Sequence, residues 1–170
     1  MSAEATKGLG VAVLTISDTR TEADDTSGAL LAERAVAAGH RLLGRRIVRD
    51  EAALIREALA ELVIDEQVDV VLATGGTGVT LRDVTPEVVE AMCDKLIPGF
   101  GELFRWLSFR DIGTSTIQSR ATAGVAEGTL IFALPGSTNA CRTAWDEILR
   151  SQLDIDHRPC NFAELLPRMR

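Results

Sequence analysis

The sequence predicts an α/β fold, in which helices cover both faces of a mostly parallel sheet. Nearly continuous apolar runs, typical of strands buried on both faces, alternate with alanine- and leucine-rich segments of helical periodicity. A glycine-rich turn directly follows one of these buried strands. Because ligands of such sheets bind beyond the carboxyl ends of the strands, the turn also indicates where a site should lie.

The first half of the chain begins with two predicted strands separated by a helix. Residues 9–16 form an apolar run typical of a buried strand, whereas the imperfect alternation of residues 41–48 is typical of a strand nearer an edge. Residues 26–38 predict the helix between them, which ends at Gly39. Residues 51–66 predict an amphipathic helix with one apolar face.

The second half repeats the alternation. Residues 68–73 are nearly all apolar and predict a third buried strand, which is followed by a helix over residues 86–96. A further helix is predicted over residues 100–109, where aromatic and charged residues mix. Residues 129–134 predict another buried strand, and residues 138–149 the helix after it.

The remaining segments are polar or irregular. Residues 113–119 predict a loop or a short helix, and the tail from Asp154 onward, which contains two prolines, predicts irregular structure. No internal repeat, low-complexity tract or linker interrupts the sequence. We therefore expect residues 1–170 to form a single domain.

The composition is that of a soluble globular protein and narrows the classes of function. Of the 170 residues, 46% are hydrophobic and 25% are charged, which is enough for one domain with a sizeable core. The net charge of −7 disfavours sequence-independent binding to nucleic acid, which needs clustered lysine and arginine. Small anionic ligands are not disfavoured, because they respond to local donors and metal ions more than to net charge.

The sequence predicts a cytoplasmic protein without membrane attachment. Its first ten residues lack the basic and apolar regions of a secretory signal, and no apolar run is long enough to span a bilayer. Cys93, Cys141 and Cys160 are widely spaced without a CxxC pair, so we expect free thiols in a reducing compartment. The two histidines have no metal-ligand partner at a useful spacing, which argues against a structural zinc site.

The segment LATGGTGVTLRDVTPE, residues 72–87, combines features of a phosphate site. Glycines, which lack a Cβ, readily adopt positive φ and let backbone N–H groups approach an anion closely. We call the following four residues the glycine loop: Gly75, Gly76, Thr77 and Gly78. Asp83 adds a carboxylate, and Thr85-Pro86-Glu87 predicts a helix start with Thr85 as its cap. This combination suits a phosphate ester that carries a divalent cation, although the glycines alone fit an ordinary tight turn equally well.

Further polar residues follow other predicted strands and can join the glycine loop in one composite site. They are Ser17, Asp18, Asp50, Pro135, Gly136 and Ser137. Mg²⁺ is bound through one or two carboxylates plus substrate phosphates, so Asp18, Asp50 and Asp83 are candidate ligands. For Asp18 and Asp50 alone, a role in turns or caps is the stronger interpretation, and Asp50 can simply cap the helix that follows it.

The polar stretch before residue 121 holds two more candidates. Arg120 can bind phosphate or carboxylate through two donors, and Ser119 can donate to a polar ring system, although turn formation explains Ser119 equally well. Trp106 and Trp145 lie on predicted helices and are more typical of core or subunit contacts than of base stacking. The sequence shows no Ser-His-Asp or Cys-His arrangement, and phosphoryl or nucleotidyl transfer needs none.

Several segments resemble the MoaB/MogA family of molybdenum cofactor biosynthesis proteins, which includes the G domain of gephyrin. They are LTISDTR, DDTSG, IVRDE, GGTGVTLRDVTPE, QSRATAG and LPGST, and they are spread over residues 14–138. GELFRWLSFRDIGTSTIQSRATAG and ACRTAW…RPCNF resemble the MoaB branch specifically. The resemblance implies a three-layer α/β/α sandwich with a mostly parallel central sheet, assembled as a homotrimer or as a hexamer of two trimers.

The resemblance also implies a reaction. Active members of the family adenylylate molybdopterin, whose terminal phosphate attacks the α-phosphate of ATP in the presence of Mg²⁺ and releases pyrophosphate. Asp83 and Asp50 match the family's functional carboxylates, and the resemblance implies that both are catalytic and bind the metal. In the motif around Asp50, a proline of the family is replaced here by Arg49. The product would pass to a molybdenum-insertion protein.

Binding roles follow from the same resemblance. We expect the nucleotide phosphates at the glycine loop and at Pro135, Gly136 and Ser137. We expect molybdopterin at Ser17, Asp18, Ser119 and Arg120. The alternative is a non-catalytic molybdopterin-binding protein, because MoaB-branch members do not all keep both carboxylates. This chain keeps both, which favours the enzyme, and its single-domain length weakens a third interpretation as a scaffold module.

Overall fold

In the computed structural model, which describes residues 8–170, six strands form one sheet. In chain order they are β1 (Gly10–Ile16), β2 (Arg41–Val48), β3 (Val70–Thr74), β4 (Lys95–Leu96), β5 (Thr122–Ala126) and β6 (Thr129–Leu134). Their spatial order is β2-β1-β3-β6-β5-β4. The pairs β1–β2, β1–β3 and β3–β6 are parallel, whereas β5–β6 and β4–β5 are antiparallel. The predicted mostly parallel sheet is therefore confirmed, with an antiparallel edge.

The helices of the described residues cover both faces of this sheet. They are α1 (Thr26–Ala37), α2 (Ala52–Val63), α3 (Thr85–Met92), α4 (Pro98–Ile112), α5 (Thr138–Ala144), α6 (Arg150–Gln152) and α7 (Phe162–Leu165). A 3₁₀ helix, Gly113–Gln118, follows α4, and a second one, Leu166–Arg168, follows α7. A π-helical segment, Trp145–Leu149, joins α5 to α6.

Two apolar cores lie on opposite faces of the sheet, which confirms the three-layer α/β/α sandwich. Alternate residues of β1 enter different cores: Val11 and Val13 pack with α1, α4 and α5, whereas Leu14 packs with α2 and α3. This alternation is the period-2 geometry of a strand. Trp145 lies in the first core and is 1% exposed, so it is a core residue and not a subunit contact.

Some predicted elements are wrong or incomplete. The helix predicted over residues 86–96 ends at Met92, because the chain turns there into β4, which the sequence does not predict. The tail beyond Asp154 is not irregular throughout, since it contains α7 and a 3₁₀ helix. Thr85 is not the cap of α3: Val84 holds that position, and the Thr85 hydroxyl instead donates to the Gly75 carbonyl.

Other predictions concern targeting and thiols. No helix within residues 8–170 has the length and apolar character needed to cross a membrane. Residues 1–7, on which the expectation about a secretory signal partly rests, lie outside the described residues, as does that part of the predicted single domain.

The three cysteines are free, and burial raises the pKa of Cys93 and of Cys141 to about 11. Both of these thiols therefore stay protonated at neutral pH.

Asp25 ties α1 to the sheet at the end where the polar loops meet. Its carboxylate caps α1 by accepting from the Gly28 N–H at 3.0 Å, and it accepts from the Thr15 hydroxyl at 2.8 Å and from Arg45 at 3.1 Å. Burial pushes the pKa of Asp25 upward, but these donors more than offset it, so the pKa lies below its ordinary value.

We expect Asp25→Ala to lower the free energy of unfolding by about 2–3 kcal/mol, because it removes a helix cap and leaves the buried Thr15 hydroxyl without its acceptor. Urea unfolding at pH 7 measures this loss, and Asp25→Asn, which keeps an acceptor, should lose less. Since the folded pKa is depressed, the wild-type contribution is complete above the ordinary aspartate pKa of about 3.9 and is lost as the pH falls through the folded value. A loss below about 0.5 kcal/mol for Asp25→Ala would contradict this role.

Candidate active site

The strand order reverses between β1 and β3, and the candidate site lies beyond the carboxyl ends of these two strands. From β1 the chain crosses outward to β2 on one side, and then returns to β3 on the other side. The helices that follow these strands therefore leave on different faces and open a crevice beyond their carboxyl ends. The residues after β1, β2, β3 and β6, together with those before the antiparallel β5, all lie at this edge.

The glycine loop follows β3 directly and needs its glycines for steric reasons. Gly75 and Gly76 have φ values of 111° and 65°, which residues with a Cβ rarely adopt. A Cβ on Gly75 would lie 2.1 Å from the Ile16 carbonyl oxygen, and one on Gly76 would lie 2.4 Å from the Thr85 hydroxyl. The Gly75 N–H donates to the Leu134 carbonyl, which anchors the loop to β6.

The next two amides of the loop, unlike that of Gly75, are not paired with any of the described residues. Within residues 8–170, nothing accepts a hydrogen bond from the N–H of Gly76 or of Thr77, and both residues line a cleft. Unpaired backbone N–H groups at a glycine turn are suited to the oxygens of a phosphate. The geometry of the loop therefore fits an anion better than it fits a simple connection between β3 and α3.

Arg120 holds the glycine loop from the other side. Its Nε donates to the Gly78 carbonyl and its Nη2 to the Asp83 carbonyl, both at 2.7 Å, while Nη1 pairs with Glu87. The Arg120 backbone N–H also donates to the Thr77 carbonyl at 2.9 Å. Most donors of this side chain are thus occupied by the loop, which makes Arg120 a residue that positions the loop.

Three carboxylates lie at the crevice, in different environments. Asp18 accepts from the Asp50 N–H at 3.1 Å and pairs with Arg82 at 2.6 Å. Asp83 accepts from both the N–H and the hydroxyl of Thr80, at 2.8 and 2.7 Å. Asp50 is the exception, because its Oδ1 is buried and receives no hydrogen bond from the described residues.

These environments move the pKa values in opposite directions. Burial raises the pKa of Asp50, and the nearby carboxylates of Asp18 and Asp83 raise it further. The hydrogen bond from Arg82 is the main reason that the pKa of Asp18 is lowered. Burial pushes the pKa of Asp83 upward, but the hydrogen bonds from Thr80 outweigh it, so the pKa lies below its ordinary value.

The donor set fits a divalent cation that is shared with a substrate. No group of three or more histidine, cysteine, aspartate or glutamate side chains in the described part of the chain is arranged to hold a metal by itself. Mg²⁺, however, is commonly held by one or two carboxylates with phosphates and waters. The unpaired Oδ1 of Asp50 is an acceptor that such an ion would satisfy, and a Cβ on Gly76 would lie 3.1 Å from that atom. The structure does not show Asp50 capping α2, since Glu51 takes that position.

A cleft of about 280 Å³ opens beside the glycine loop. The candidate residues that line it are Gly76, Thr77, Gly78, Asp83, Ser119, Pro135, Gly136 and Ser137. Ser17, Asp18, Asp50, Gly75 and Arg120 do not line it. Ser17 forms a turn, with its hydroxyl accepting from the N–H of Thr19 and of Arg20.

The cleft also contains residues that sequence reasoning missed. They are Phe104, Ser108, Asp111, Ile112, Thr116, Gln118, Asn139, Ala140 and Thr143. Phe104, Ser108 and Asp111 share one face of α4 because their spacing is i, i+4 and i+7. The only local signal is a polar stripe that continues an apolar helix face, and ordinary solvated helices share that pattern.

We expect Gly76→Ala to weaken nucleotide binding by about tenfold or more, because the new Cβ meets the Thr85 hydroxyl and the Asp50 carboxylate and is strained at positive φ. Titration calorimetry with ATP measures the affinity, and circular dichroism checks the fold. Gly99→Ala is a matched control, since a Cβ there meets no atom within 4 Å. Wild-type affinity in a folded Gly76→Ala protein would show that the loop does not touch the nucleotide.

Comparison with known proteins agrees with this geometry. Residues 12–155 match the family described as a probable molybdopterin binding domain. The chain is 53% identical over 152 residues to molybdenum cofactor biosynthesis protein B of Escherichia coli K12, covering 89% of each chain. A crystal structure of a molybdenum cofactor biosynthesis protein B superposes with a TM-score of 0.88 at 40% identity, covering 98% of each chain. The tungsten cofactor synthesizing protein MoaB of Pyrococcus furiosus superposes with a TM-score of 0.79 at 38% identity, covering 88% of this chain and 94% of that one. The chain therefore belongs to the family of molybdenum cofactor biosynthesis proteins that share the molybdopterin binding domain, as the resemblance of its motifs to MoaB and MogA predicts.

Proposed function

We propose that this protein transfers the adenylyl group of ATP to the terminal phosphate of molybdopterin and releases pyrophosphate. One observation carries the proposal. A buried carboxylate oxygen of Asp50 that receives no hydrogen bond lies beside the glycine loop, in which the N–H groups of Gly76 and Thr77 have no acceptor among the described residues. Donors for phosphate and an acceptor for a cation thus lie side by side, as a reaction between two phosphates requires. Membership of the family supports molybdopterin as the acceptor.

The residues of the chain position the substrates and neutralise charge. In this proposal the amides of Gly76 and Thr77 bind phosphate oxygens, and the cleft beside them receives the pterin. Arg120 and Thr85 keep the loop in its binding conformation. Asp50 and Asp83 would hold Mg²⁺, which supplies positive charge between the two polyanions.

No general base is needed for this reaction. The attacking group is a phosphate monoester that is largely deprotonated at neutral pH. Asp83 is a poor base in any case, because its pKa lies below the ordinary value. The protein's net charge of −7 makes charge neutralisation, and not proton removal, the demanding part of the step.

The decisive experiment follows pyrophosphate release from Mg·ATP with and without molybdopterin. Release that depends on molybdopterin, together with formation of molybdopterin-AMP, is the expected result. Binding of molybdopterin without any release, at saturating ATP and Mg²⁺, would overturn the enzyme and support the non-catalytic binding protein instead.

We further propose that the protein works as a homotrimer or as a hexamer of two trimers in the cytoplasm, and that it hands its product to a molybdenum-insertion protein. The support for assembly is a set of exposed apolar side chains on the described chain, which we call the α4 face: Leu103, Trp106, Phe109 and Ile117. Trp106 is 70% exposed and Ile117 is 78% exposed. Several large apolar side chains exposed on neighbouring elements are typical of contact surfaces.

A further inference from the structure

We propose that Asp111 reads the amino edge of the pterin ring and thereby selects a 2-amino pterin over its 2-oxo analogue. The carboxylate would accept two hydrogen bonds, one from the ring N–H and one from the exocyclic amino group. This inference rests on the proposed function for the identity of the ligand. It adds a specificity-determining residue to the cleft.

Asp111 is placed by the same helix that forms one wall of the cleft. It lies on the last turn of α4, one turn beyond Ser108 and two turns beyond Phe104, and all three residues line the cleft. Phe104 and Ser108 are buried, whereas Asp111 is exposed. Along this wall, a buried aromatic side chain is followed by a buried hydroxyl and then by an exposed carboxylate.

The fold gives Asp111 no structural role. A carboxylate at the C-terminal end of a helix is unfavourable, because the helix dipole is negative there. Within residues 8–170, no side chain pairs with Asp111 and no N–H or hydroxyl donates to it. The neighbouring cation, Arg110, pairs instead with Glu147 at 3.2 Å. Asp111 is thus an acceptor with unused capacity beside a binding cleft.

The charges that line the cleft orient the ligand. As far as residues 8–170 form it, its lining contains two acidic residues, Asp83 and Asp111, and neither lysine nor arginine. Anionic parts of a ligand are therefore directed to the N–H groups of the glycine loop, and a neutral, donor-rich part is favoured at Asp111. A volume of about 280 Å³ is near the lower end of small-molecule sites, which span about 300–1,000 Å³, and suits a fused heterocycle.

The pterin edge matches this acceptor in number and direction. Its ring N–H and 2-amino group form two parallel donors, which a carboxylate accepts in bidentate geometry. The 2-oxo analogue, lumazine, replaces one donor with a carbonyl oxygen, which would face a carboxylate oxygen. Sites that bind a donor through a dedicated acceptor reject analogues without that donor strongly.

The test measures competition by pterin and by lumazine against molybdopterin bound to the full-length protein. Wild type should prefer pterin by about tenfold or more, and Asp111→Asn should lose or reverse the preference, because an amide can donate to the lumazine carbonyl. Affinity for ATP should be unchanged in the variant, and its thermal stability should not fall, since an unfavourable charge at the helix end is removed. Glu102→Gln is the matched control, an exposed acid on α4 that does not line the cleft.

The outcomes separate this inference from the proposed function. If Asp111→Asn keeps the wild-type preference for pterin while wild type binds molybdopterin, Asp111 does not read the ring, and the proposed function is untouched. If wild type binds no molybdopterin at all, the proposed function fails and this inference fails with it. If wild type binds molybdopterin but does not distinguish pterin from lumazine, the inference alone is overturned.

Discussion

Asp50→Asn should reduce adenylylation by about 10³-fold without weakening the fold. The loss is of the size seen when a charge-stabilising group is removed from an active site. The substitution keeps the shape of the side chain and breaks no hydrogen bond of the described protein, because Oδ1 of Asp50 receives none. Single-turnover formation of molybdopterin-AMP across a series of magnesium concentrations measures the effect.

The same variant should unfold at an equal or higher temperature than wild type. Since the folded pKa of Asp50 is raised, ionisation of this group opposes folding at every pH above that pKa, and the penalty disappears below the ordinary aspartate value. Removing the charge therefore removes a cost at neutral pH. Lost turnover with retained or increased stability distinguishes a functional carboxylate from a structural one.

Asp83→Asn should also lose turnover, but with a different signature. Asp83 accepts two hydrogen bonds from Thr80, so the variant is expected to loosen residues 80–83 as well as to remove a charge. Molybdopterin binding should change little in either variant. Glu51→Gln, next to Asp50 and exposed, is the matched control. Wild-type rates for Asp50→Asn at limiting magnesium would show that this carboxylate holds no catalytic metal.

Trp106→Glu should dissociate the assembly into monomers at micromolar concentration. A charged side chain on the α4 face would be buried without a partner on association, and exposed tryptophans at contacts commonly contribute about 2 kcal/mol or more. Sedimentation velocity measures the change, with circular dichroism to confirm that each chain stays folded. Trp106→Phe keeps an aromatic side chain and should assemble like wild type. A wild-type protein that sediments as a monomer would refute the proposed trimer.

Much of the fold follows from local patterns in the sequence. The apolar runs of β1, β3 and β6 leave little alternative to buried strands, and the edge position predicted for residues 41–48 agrees with the place of β2 in the sheet. β4 carries no such pattern, because Lys95–Leu96 is a strand only through its pairing with β5. Pairing is a long-range property, and two residues are too few to show periodicity.

The site could be predicted only as far as its backbone motif. The glycine loop and Asp83 stand out because glycine spacing and a carboxylate before a helix are local signals. Asp111, Gln118 and Asn139 are single polar residues on exposed helix positions, and that pattern is the same for any solvated surface. Only the approach of α4 and α5 to the glycine loop makes them neighbours. The buried state of the Asp50 oxygen likewise depends on packing between elements distant in sequence.

The hydrogen bonds from Arg120 to the glycine loop and to Asp83 couple the conformation of the loop to the sheet. Arg120 lies two residues before β5 and binds Gly78 and Asp83 across separations of 42 and 37 residues. Because Arg120 lies just before β5, its hydrogen bonds to the glycine loop depend on the pairing of β5 with β6, and we expect the loop to open together with that antiparallel edge. Fluctuations that detach β5 would therefore release the loop, and protection of the Arg120 N–H, which donates to the Thr77 carbonyl, against hydrogen exchange should follow that of β5.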